Sequence, residues 1–143
     1  MPTEQTKMLK ARMRRFGTNV ILLTPELADS TAKRIIEDQI IRSSCSVGAN
    51  YRAAQRARST ADMIAKLKIV EEELDESIFW MEVLVESNIA TKELLLSHYK
   101  EANELISIVV SAIKSLRAKK SIVREPFSHY GSEISDIFDR NWR

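Results

Sequence analysis

The stretch 59-STADMIAKLKIVEEELDESIFWMEVLVESN-88 decides the fold class. Within it Met63, Leu67, Val70, Leu74, Ser77, Met81 and Leu84 recur at alternating spacings of four and three. On an α-helix this spacing holds all seven side chains on one face across three heptads. Ser59 with Asp62 three residues later reads as an N-cap and an acidic first-turn partner, a weaker relative of the capping box, and Ser87-Asn88 supplies a stop.

Toward the C-terminus, Thr91 can cap a further helix carrying Leu95, Tyr99, Ala102, Leu105, Ile106, Val109, Ile113 and Leu116. Lys114, Arg117, Lys119 and Lys120 favourably load its negative end. Toward the N-terminus, Ala32, Ile35, Ile36, Gln39, Ile40, Ser43, Val47, Asn50 and Ala54 predict a helix from Ser30 to about Ala57. Before it, Leu9, Met13, Phe16, Val20, Leu23 and Leu27 form another apolar series. Pro25 limits that helix, because the residue before a proline is pushed away from α geometry, so the first connection falls within Thr24 to Asp29. The third and fourth helices would each run about 25 to 30 residues, roughly 40 Å, and such short connections force antiparallel neighbours. The expectation is an all-α, up-down-up-down four-helix bundle over residues 1–120, followed by a tail over 121–143.

The middle of the second helix is unusual. Ser43, Ser44, Cys45, Ser46, Gly48 and Ala49 concentrate small residues where Gly costs about 1 kcal/mol of helix propensity relative to Ala. A close neighbour would offset that cost, so the stretch is either the tightest crossing of the bundle or a subunit contact, with a local kink as the alternative.

Composition excludes several classes. With 143 residues, 44% of them hydrophobic and 29% charged, the chain can bury one ordinary core, and no apolar run approaches the roughly 20 residues that cross a bilayer. The N-terminal MPTEQTKMLKARMRR has no apolar stretch ahead of a small-residue cleavage site, so the expected location is the cytoplasm, with no membrane partner. The single Cys45 has no internal partner for a disulfide. A di-metal bundle would need Glu-x-x-His pairs, which neither His98 nor His129 completes, and there is no phosphate loop or nucleophile elbow. No metal, cofactor or catalytic residue is expected, and the chain is read as a non-enzyme.

Charge is segregated. Between Glu71 and Glu93 there are eight acidic residues against Lys92 alone, whereas Lys7, Lys10, Arg12, Arg14 and Arg15 crowd the first helix and Arg52, Arg56 and Arg58 the end of the second. Arg12, Arg14, Arg15, Arg52, Arg56 and Arg58 are therefore candidates for the phosphates of RNA or DNA, without base reading. The alternative is that opposite signs meet across subunit interfaces. Glu73 and Glu76 flank the seam of the third helix, and Arg42 and Asn50 that of the second. Arg42 paired with either glutamate would make a buried network that fixes register, since an unpaired buried charge is strongly destabilising. Trp80 is expected as a core anchor. In the tail, Phe127, Tyr130, Phe138 and Trp142 would anchor a protein partner.

The segment Arg42-Ser43-Ser44-Cys45-Ser46-Val47-Gly48-Ala49-Asn50-Tyr51-Arg52, then Ala57-Arg58-Ser59, then Glu73, Asp75-Glu76 and Phe79-Trp80-Met81-Glu82, resembles the 23S ribosomal RNA intervening sequence family of bacterial four-helix bundles. The resemblance covers about Phe16 to Leu116. It implies a left-handed bundle that assembles as a ring, commonly of five copies, without catalytic activity. A related branch, the accessory variability determinants of diversity-generating retroelements, binds a reverse transcriptase and nucleic acid, which would make both of these partner classes for this chain. Ala53, Glu72 and Ile78 depart from the family's usual Glu, Lys and basic residue. The last two changes remove positive charge from the third helix and weaken that face as a nucleic-acid surface.

Overall fold

The computed structural model describes residues 3–119, which form four helices and no strand. They are α1 (Glu4–Leu23), α2 (Lys33–Gln55), α3 (Thr60–Glu86) and α4 (Lys92–Lys119), with a 3-10 turn at Thr24–Glu26 after α1. The chain is an all-α four-helix bundle. Among the described residues no helix is long and apolar enough to cross a membrane.

Local chemistry sets the helix ends. The amide of Thr6 donates to Thr3 Oγ1, opening α1, and Thr24-Pro25 turns the chain out of it. Helix α2 starts three residues later than Ser30, because the Ser30 hydroxyl accepts from the amide of Lys33 at 3.0 Å and so sits outside the helix. Ser59 Oγ accepts from the Asp62 amide at 3.0 Å, and the Asp62 carboxylate accepts from the Arg58 amide at 3.3 Å. A hydrogen bond from Lys66 lowers the Asp62 pKa. At the other end of α3, Asn88 adopts φ 61, and the amides of Ile89 and Ala90 both return to the Leu84 carbonyl. Thr91 Oγ1 then accepts from the Leu94 amide. The Ala28 amide donates to the Ile89 carbonyl at 2.8 Å, tying the first connection to the third at one end of the bundle.

The core runs the length of the bundle through Met13, Phe16 and Val20, Ile40 and Val47, Leu74, Ile78 and Met81, and Leu95, Leu105 and Ile106. Helices follow one another around the bundle. Helix α2 packs intimately on both α1 and α3, α3 on α4, and the α1–α4 seam is the loosest of the four. The small-residue stretch of α2 is the tight crossing with α1. A Cβ built on Gly48 would lie 2.9 Å from Arg14 Cα, and one on Gly17 would lie 2.9 Å from Cys45 Cα. Gly17, which weakens α1 as an isolated helix, is thus required where α2 crosses it.

Candidate interaction surfaces

The close α1–α2 crossing shapes the first surface. Where two backbones touch through glycines, the flanking side chains splay outward and leave a furrow between them. Lys10, Arg14 and Thr18 of α1 and Cys45, Ala49 and Arg52 of α2 border a concavity of about 260 Å³ whose floor is Gly48. Arg14 and Arg52 are exposed, and no carboxylate lines the groove. Of the six arginines expected to face phosphates, the structure therefore gathers Arg14 and Arg52 and adds Lys10, one helical turn before Arg14. Arg15, Arg56 and Arg58 are exposed but do not line this groove.

Arg12 does not line this groove. Its Nε donates to Glu101 Oε2 at 2.8 Å, its Nη2 to Glu101 Oε1 at 2.6 Å, and Nη2 also lies 2.9 Å from Glu104 Oε2. The Glu101 hydrogen bonds hold the guanidinium charged well above its ordinary pKa. Its donors serve α4, so Arg12 clamps the loose α1–α4 seam.

The second surface is the outer side of α3. Arg42 on α2 reaches Glu73 at 3.4 Å and also pairs with Glu76. The expected burial of this network is corrected, because the Arg42 side chain is 49% exposed and the pairs lie at the rim. Asn50 takes no part across the seam, its Nδ2 instead donating to the Ser46 carbonyl one turn back in α2. The buried polar link between α2 and α3 is Ser43 Oγ to Ser77 Oγ at 2.9 Å, with each hydroxyl also bonded to its own helix. Sequence reading placed both serines on the seam but did not pair them. Trp80 lies at the edge of the core and not within it, partly buried, and its Nε1 has no hydrogen-bond partner among the described residues. Phe79 meets Trp80 edge-on, with centroids 4.9 Å apart and planes at 71°, and is itself 53% exposed. Ile69 on the same helix is 39% exposed.

Glu82, also on α3, is held above its ordinary carboxylate pKa, chiefly by burial and then by the like charges of Glu86 and Asp75. The folded state then binds a proton more readily than the unfolded chain, so this group's contribution to stability falls as pH rises from about 4.5. Glu82→Gln is expected to raise the unfolding midpoint at pH 7 and to lose that advantage near pH 4, read by thermal unfolding. A gain of equal size at both pH values would show that the cause is packing and not charge.

Burial lowers the pKa of His98. Among the described residues no group of three His, Cys, Asp or Glu side chains could hold a metal ion. His129 and the tail anchors Phe127, Tyr130, Phe138 and Trp142 lie outside the described residues.

A family model described as "23S rRNA-intervening sequence protein" matches residues 6–111, starting ten residues before Phe16 and stopping short of Leu116. Among solved structures, a protein of unknown function from the S23 ribosomal protein family of Bacteroides thetaiotaomicron is 32% identical, with a TM-score of 0.69. The alignment covers 74% of this chain and 98% of that one. Neither match bears on the retroelement branch. No curated protein matches the chain.

Proposed function

Because this chain belongs to the 23S rRNA-intervening sequence protein family, we propose that it acts without catalysis, as a self-associating helical scaffold or adaptor, with five copies the number that the family resemblance suggests. The observation that carries this reading is what the bundle leaves outside. With a closed core beneath them, Phe79, Ile69, Ile35, Ile21, Leu22 and Met8 stay between 39% and 70% exposed, and removing such apolar surface from water favours association. Light scattering after size-exclusion chromatography tests it. The expected particle is close to five times 16.4 kDa, and a species of 16.4 kDa at every concentration would overturn the reading.

The convergence of Lys10, Arg14 and Arg52 favours a second reading, in which the α1/α2 groove follows the phosphate backbone of RNA or DNA. Retention of mixed-sequence RNA should then fall steeply with salt. Replacing these three cations with Glu should remove about three from the magnitude of the slope of log affinity against log salt, at roughly one unit per phosphate contact. An unchanged slope would sink it.

A further inference from the structure

We propose that the basic α1/α2 groove of one copy receives the Phe79 face of α3 from a second copy, so that the chain assembles head to tail; this rests on the self-association reading above.

The two surfaces are complementary in shape and charge. The groove floor of Gly48 and Ala49 offers an aromatic ring little beyond apolar contact, and about 260 Å³ exceeds the roughly 150 Å³ in which an apolar cavity holds benzene. Lys10, Arg14 and Arg52 border it. Phe79 is more than half exposed and is held by its edge-on contact with Trp80, so little freedom is lost when it inserts. On α3, Glu72 lies seven residues before Phe79, Glu76 three before and Glu86 seven after. These spacings bring all three carboxylates onto the Phe79 side of the helix. Glu72 and Glu86 are exposed, while Glu76 is engaged by Arg42. Three cations around an apolar furrow thus face the two exposed carboxylates Glu72 and Glu86 beside an apolar knob.

The occupant is a second copy because both halves of this match sit on one molecule. They lie on different outer sides of the bundle, so a single copy cannot join them to each other. A contact between unlike faces is heterologous, and repeated copies close into a ring when the rotation between them closes. Nucleic acid is the weaker occupant of the groove, since no aromatic side chain lines it on which a base could stack.

The test uses two exposed-site variants of the full chain, Arg14→Glu/Arg52→Glu in the groove and Phe79→Glu on α3, each checked for a cooperative melt. Light scattering should find the wild type multimeric and each variant alone at 16.4 kDa. The two variants mixed should form a one-to-one dimer of twice that mass, because the groove variant keeps an intact Phe79 face and the Phe79 variant keeps an intact groove. A mixture that stays at monomer mass overturns the proposal, since the contact would not join unlike faces. Two variants that each assemble like the wild type also overturn it, while leaving self-association standing. A monomeric wild type overturns both readings. Groove variants that lose RNA retention but keep the wild-type mass assign the groove to nucleic acid and overturn the pairing of faces.

Discussion

Gly48→Ala is expected to destabilise the bundle by about 1 kcal/mol, although alanine is the better helix former. Two opposing effects decide the sign. Replacing Gly by Ala within a helix is worth about 1 kcal/mol in propensity. Against it, the new methyl would sit 2.9 Å from Arg14 Cα, 3.1 Å from Arg14 N and 3.2 Å from the Met13 carbonyl oxygen. All three are backbone atoms of α1 and cannot swing aside like a side chain tip. The helices must separate, and overpacking of this kind costs roughly 1–3 kcal/mol or more. Separation also loosens Met13 and Phe16, which are fully buried beside the crossing. The expected drop in melting temperature is about 3–5 °C for a domain of this size. Gly17→Ala should act similarly through Cys45, and the double variant should cost less than the sum, because one separation relieves both clashes. Urea and thermal unfolding check this, and a Gly48→Ala protein that melts higher than wild type would show that propensity wins and the crossing is not closed.

The same crossing shows what periodicity can and cannot say. The seam of α3 was readable because seven side chains declare one face by spacing alone, and Ser59, Asn88 and Thr91 declare ends by local chemistry. Small residues around Gly48 announced a close approach. They could not name the partner, since spacing identifies residues that share a face and is silent on what lies opposite. The pairing of Arg12 stayed hidden for that reason. Its glutamate is 89 residues away, and nothing in the basic cluster of α1 points to α4. Arg42 did have both glutamates within view, but burial depends on how far two helices sit apart at the rim, which the pattern does not encode. In the run Ile78-Phe79-Trp80-Met81 every residue is apolar, so spacing put Met81 on the seam while hydrophobicity did not say which of the other three faces outward. The helix turns by just over a quarter of a circle per residue, so Ile78 and Met81 point into the core while Phe79 is left in solvent.

That last contrast yields the second large effect. Leu74→Ala, at a position with no exposure in the middle of α3, is expected to cost about 3–5 kcal/mol, the sum of lost transfer energy and the cavity left behind. Phe79→Ala removes more atoms from the same helix, yet the bundle of a single copy should lose no more than about 0.5 kcal/mol, because the ring is already half in water. The comparison is made by urea unfolding in the Arg14→Glu/Arg52→Glu background, where assembly is expected to be absent. In the wild-type background the result should differ in kind. There Phe79→Ala should lower the unfolding midpoint by an amount that grows with protein concentration, because anything that binds only the folded chain stabilises it by mass action. Leu74→Ala should shift the midpoint at every concentration. A Phe79→Ala loss as large as that of Leu74→Ala in the unassembled background would place the ring in the fold's own core, and the surface on α3 would lose its reason for carrying an exposed aromatic.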